Sequence, residues 1–139
     1  MTDKELEQLL LRVERDDPAA LYDYAVYLSD TNSDEALKYV LLSAQLGYPK
    51  AIEKKGDLFL EAGDAESAAR CFKTGAKAGL LDCSVKLAVL RLDDFEHAAV
   101  RELEDLAEIG VTSACSALAD YYHKHGNRKQ AAYWRSLLK

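Results

Sequence analysis

Three thiols and three imidazoles are the side chains of this 139-residue sequence that most readily serve as thiol nucleophiles, near-neutral proton carriers or zinc ligands: Cys71, Cys83, Cys115, His97, His123 and His125. No two of the cysteines form a Cys-x-x-Cys pair, and no cysteine/histidine spacing matches a zinc site. Three cysteines leave one unpaired under any disulfide scheme, and each falls in an apolar helical pattern where a thiol acts as a small hydrophobe. Reduced thiols in the cytoplasm are the expectation. His97 opens a helix, and His123 and His125 lie two apart, on different helix faces. Cys115, Asp120 and His123 have the residue types of a thiol triad, yet eight residues along one helix span ~12 Å, beyond hydrogen-bond reach. His123 beside Asp120 reads as a surface pair. The sequence lacks Gly-x-x-x-x-Gly-Lys, Gly-x-Ser-x-Gly and His-Glu-x-x-His. It therefore reads as non-enzymatic, with no catalytic residue, cofactor or metal.

Charge carries more information. The formal net charge is −6, which argues against a binder that works by neutralising phosphates. The distribution is uneven: residues 1–122 hold −11, and the segment from His123 onward holds +5 with no acid. Arg135 and Lys139 either complement a helix C-terminus or belong to a small basic contact surface. Glu53, Asp57 and Glu61 fall on successive turns of one helix face, as an acidic contact stripe or simply a solvated one. No run of about 18 apolar residues exists, so neither a membrane span nor a membrane partner is expected. The acidic opening, Met1 to Glu7, does not read as a secretory signal.

The elements that position these groups come from a repeat. Gly47, Gly79 and Gly110 each close an apolar stretch, 32 and 31 residues apart. They end Ser-Ala-Gln-Leu-Gly, Gly-Ala-Lys-Ala-Gly and Leu-Ala-Glu-Ile-Gly. Eleven residues before them stand Ala36, Ala68 and Ala99, and Ala131 continues that row. Ala20, Ala51, Cys83 and Ala114 form a second row, with Ala25, Gly56, Ala88 and Ala119 each five residues beyond. Such periodicity marks stacked supersecondary units. Each unit reads as two antiparallel helices, with expected spans 18–29, 34–46, 49–61, 65–78, 81–92, 95–109, 112–125 and 128–138. Pro18 and Pro49 suit first helical turns, and the glycines suit helix ends.

Small residues let paired helices approach closely. Tyr24, Leu28, Tyr39, Val40, Phe59, Phe72, Leu87, Leu103, Leu118 and Tyr122 fill the layers around them at helical spacing, which makes them core. Arg91 takes the place of Leu28, Phe59 and Tyr122, so either its stem packs or the third repeat is locally irregular. A preceding helix over 3–15, with Thr2 and Glu5 as a capping box, slides by 31 onto the second helix of the first repeat. It reads as an end cap. At the far end Tyr133, Trp134, Leu137 and Leu138 either bury themselves against helix 112–125 or form a docking edge.

These alanine/glycine rows and the glycine-closed unit endings resemble the Sel-like repeat (SLR) family, relatives of the tetratricopeptide repeat. The resemblance covers residues 17–139 as repeats at about 17–47, 48–79, 80–110 and 111–139, one domain with the cap at 3–15. The family's longer glycine-rich loop is missing, as are the cysteine pairs that staple each unit in its secreted members. The resemblance implies an all-α solenoid that serves as an adaptor, binding a protein or peptide through a concave groove lined by first helices. By likeness to tetratricopeptide grooves, the contact positions are Tyr22, Val26, Ser29 and Asp30, then Glu53, Asp57, Leu60 and Glu61. The third repeat offers Val85, Val89, Leu92 and Asp93, and the fourth Ser116, Asp120, His123 and Lys124. Exposed Tyr22, Val85 and Val89 are expected, and the acidic second repeat suits a partner with a basic segment. The alternative is a structural, immunity-type or regulatory subunit associating through its ends, using Trp134 and the basic last helix. A monomer is favoured.

Overall fold

A computed structural model of the chain describes residues 1–138; Lys139, counted above in the basic last helix and the fourth repeat, lies outside them. Among the described residues there are nine helices and no strand. The chain divides into two compact units, residues 1–78 and the segment from Gly79 on. The first holds α1 (Asp3–Glu14), α2 (Pro18–Leu28), α3 (Ser33–Gln45), α4 (Pro49–Glu61) and α5 (Ala65–Lys77). The second holds α6 (Leu81–Leu90), α7 (Glu96–Glu108), α8 (Thr112–Lys124) and α9 (Arg128–Ser136). Within each unit consecutive helices pack against one another, and α6 also packs against α8. This is an all-α solenoid of paired helices.

The helix ends explain the repeat length. At the end of α3 the Gly47 amide donates to the Ala44 carbonyl and the Tyr48 amide to Ser43, a Schellman closure that needs a left-handed residue. Gly47, Gly79 and Gly110 supply it at φ 89°, 96° and 97°. Asp16 holds the same register 31 residues before Gly47, at φ 56°. Its amide donates to Val13 and that of Asp17 to Arg12, so α1 ends as α3 and α7 do. α1 thus shares with α3 and α7 a C-terminal closure through a left-handed residue. Its start is as expected, the Glu5 amide donating to the Thr2 hydroxyl at 3.1 Å. Pro18 and Pro49 open α2 and α4.

Both small-residue rows are buried throughout. Ala20, Ala51, Cys83 and Ala114 are fully sealed, and Ala25, Gly56, Ala88 and Ala119 are buried, as are Ala36, Ala68, Ala99 and Ala131. In the first unit the tightest approach is at Gly56: a Cβ there would lie 2.6 Å from the ring of Phe72, itself fully buried. Only glycine lets α4 and α5 close over a phenyl ring. Ser43, the one buried polar side chain among the core residues, donates to the Pro18 carbonyl at 2.7 Å and ties α3 to the start of α2.

The second unit's core gathers Val85, Ala88, Leu103, Ala114, Cys115, Leu118, Ala119 and Trp134. Trp134 is therefore buried rather than presented for docking, and its Nε1 has no hydrogen-bond partner among the described residues. Of the far-end group, Tyr133, Leu137 and Leu138 remain exposed. Arg91 resolves toward irregularity: α6 stops after ten residues, and Arg91 is its exposed C-cap.

Candidate partner-binding grooves

Each unit builds a groove, and the two are repeat-equivalent. In the first unit a cavity of about 380 Å³ lies among α2, α3 and α4, with Val26, Ser29, Ser33, Lys54 and Leu58 on its walls. In the second, a cavity of about 480 Å³ lies among α6, the start of α7 and α8, with Val89, Leu92, Glu96, Ala117 and Tyr121 in those same places. Each partner in these pairs is 63 residues from its counterpart, which is two repeats. A period that sets the backbone register also sets which side chains reach the groove.

The groove residues expected from the sequence distribute between the units. Tyr22 and Val26 both line the first cavity, Tyr22 half-buried and Val26 55% exposed. Tyr22 stacks at a tilt on Tyr48, ring centroids 5.6 Å apart. Burial first, then the charges of Glu53 and Asp57 among its neighbours, push its hydroxyl above its ordinary pKa. Tyr22, Glu53 and Asp57 therefore share one electrostatic neighbourhood, Glu53 and Asp57 half-buried and Glu61 exposed on the next turn of α4.

In the second unit Val89, 42% exposed, and Asp120 line the cavity, whereas His123 is exposed and lies outside its lining. Val85 departs from expectation. It is only 4% exposed, because α8 packs on α6 and the shared core takes Val85 in. It supports the groove from beneath and offers a partner nothing.

Glu96, Ser113 and Tyr121 line the second groove and do not stand out in the sequence. The Tyr121 hydroxyl donates to the Glu96 carboxylate, bracing the start of α7 against α8. That hydrogen bond, then burial, then the Glu96 charge raise the Tyr121 pKa to about 12. The Ser113 hydroxyl donates to Asp82 at 2.6 Å, linking α8 to α6. His125 lies on the Tyr121 ring, centroids 4.3 Å apart, its Nδ1 2.8 Å from the Tyr121 carbonyl. The 63-residue shift from Ser33 and Leu58 would have pointed to Glu96 and Tyr121. Reading first helices alone left Glu96 out.

Among the described residues no group of three or more His, Cys, Asp or Glu converges as a metal would require. None of the three cysteines forms a disulfide among the described residues, and Cys115 sits in the core. No helix there is long and apolar enough to cross a membrane.

Comparison with solved structures decides the architecture. A Sel1 repeat protein from Oxalobacter formigenes superposes with a TM-score of 0.69 at 20% identity, over 97% of this chain. The fold is the Sel1-repeat solenoid. The chain spans 63% of that protein's length. No protein-family model matches the sequence, and no curated protein matches it. The Sel1-repeat likeness explains why the alanine and glycine rows, rather than any polar motif, are the sequence's strongest signal: they are what stacking requires.

Proposed function

We propose that the chain is a non-enzymatic interaction module that holds a protein or peptide partner in the grooves between its helix pairs. One observation carries this reading: the two units place a cavity at the same repeat register, each walled by an exposed valine, Val26 or Val89. Exposed apolar side chains rimmed by polar ones are the usual anatomy of a contact surface. Glu53, Asp57 and Glu61 supply an acidic neighbourhood suited to a basic partner segment, and thiols outside any disulfide suit the reducing cytoplasm.

The test is capture by the immobilised chain. Proteins retained by the unaltered chain should be lost with Val26→Asp and with Val89→Asp, and weakened by Glu53→Lys with Asp57→Lys. Retention indifferent to all these changes refutes the groove reading. End-to-end association is favoured instead only by the exposed Tyr133, Leu137 and Leu138 on and after α9. Light scattering across concentration separates the two, since a persistent monomer removes self-association.

A further inference from the structure

The second helix of each repeat has its N-cap at a common register, residues 32, 64, 95 and 127. Asn32, Asp64 and Asn127 each accept a backbone amide, from Glu35, Ser67 and Gln130 at 3.2, 3.1 and 3.2 Å. The remaining position is Phe95, which makes no side-chain cap bond and is 64% exposed. Losing a polar cap weakens a helix, and leaving a phenyl ring in water is unfavourable as well. Both costs fall on a residue that lies outside the groove lining but next to Glu96 and two places after Asp93, which line the second groove. First helices α4, α6 and α8 also lack a side-chain cap, so the rule belongs to the second helices. Three of them keep it and the fourth does not, which marks a site with another task.

The same comparison gives the groove its charge. Where the first groove has Ser33 and Lys54, the second has Glu96 and Ala117. It gains a carboxylate and loses an ammonium. Asp93 and Asp120 add two more carboxylates to its walls, against Lys124 as its lysine. Tyr121 fixes Glu96 in place, so a ligand cation meets an oriented acceptor. Val89 and Leu92 give the aliphatic stem of a long cationic side chain a surface to lie on.

Resting on the module reading above, we propose that the second groove and Phe95 together dock a partner segment in which an arginine or lysine neighbours an apolar side chain. The cation is received by Asp93, Glu96 and Asp120, and the apolar neighbour by Phe95.

The probes are pools of short fluorescein-labelled peptides with randomised flanks and a fixed Leu-Arg, Leu-Gln or Leu-Glu centre, tested on the full chain. Retention of the Leu-Arg pool should exceed that of Leu-Gln about tenfold, and Glu96→Gln with Asp120→Asn should erase the preference. Phe95→Asn should raise the unfolding midpoint while lowering Leu-Arg retention about tenfold, opposite signs that a purely structural residue does not give. Glu7→Gln with Glu14→Gln removes equal charge from α1 and should keep the preference. Equal retention of the Leu-Arg and Leu-Gln pools overturns the proposal, as does an equal loss in the α1 variant or unchanged retention by Phe95→Asn. Retention of no pool also overturns it, whereas the broader reading falls only if captured proteins ignore Val26→Asp and Val89→Asp.

Discussion

The two units solve one packing problem with different side chains. In the first, Gly56 faces Phe72; in the second, the same register holds Ala88 and Leu103. Bulk has been moved from one helix to the other, and all four positions are buried. The cap register behaves differently. Replacing Asn32 or Asp64 by Phe95 moves no bulk into a core and leaves a ring exposed. A change compensated across the helix pair maintains the fold. A change compensated by nothing inside the unit points outward, and the charge difference between the grooves at Ser33/Glu96 and Lys54/Ala117 is of that second kind.

The packing half of this comparison breaks most visibly at Phe72. Phe72→Ala should cost about 3–5 kcal/mol in urea unfolding, and more than Leu103→Ala. With glycine opposite, no side chain on α4 can relax into the space. Next comes Gly56→Ala. Alanine gains up to about 1 kcal/mol of helix propensity, but its Cβ drives into a sealed ring, and overpacking costs about 1–3 kcal/mol. The net expectation is destabilisation by about 1 kcal/mol. In a Phe72→Leu background the sign should reverse, because the first unit then has the second unit's pairing with room for the methyl group. A Gly56→Ala effect of the same sign in both backgrounds would show that the two residues are not coupled.

The capping half sharpens with a smaller effect of opposite direction. Phe95→Asn should stabilise the chain by about 1 kcal/mol, and Asn127→Ala should destabilise it by a similar amount. If Phe95→Asn destabilises instead, the ring has a packing role and the contrast between the units disappears.

The same contrast explains what the sequence could and could not reveal. The fold was legible because its determinants are local and periodic: Gly47 with Ala36, or Ala51 with Gly56, state the stacking rule at each turn of the repeat. Every helix end expected from the sequence falls within two residues of the observed one, the widest differences being at Leu90 and Ser136, where α6 and α9 stop two residues early. Exposure was harder to read. Val85 occupies the register of Tyr22 and Glu53, both half-buried, yet the contact of α8 with α6 encloses it. Burial of that position depends on a neighbouring helix, which a single-helix pattern does not encode. Trp134 differs again, since its burial was one of two readings and the core of α8 selected it. Phe95 and Glu96 escaped notice because the tetratricopeptide likeness directs attention to first helices, while these residues begin a second one.

The smallest expected effect concerns pH and tests whether the second groove is braced as the first is not. Tyr121 stands where the first groove has Leu58, and its hydrogen bond to Glu96 holds the hydroxyl pKa at about 12, against an ordinary 10.0. A folded-state pKa raised above the unfolded one means that the bond contributes fully below the ordinary value. Its contribution is lost as pH climbs through about 12, so the stability change lies in that alkaline window and not near neutrality. Solvent reaches the pair, so the change should be slight, and absorbance of the ionised ring is the better measurement. Tyrosinate absorbance should show a late step that moves down in Glu96→Gln and vanishes in Tyr121→Phe. A late step that survives Tyr121→Phe would assign it to another ring and remove the bracing from the comparison, leaving the groove's carboxylates without a fixed orientation.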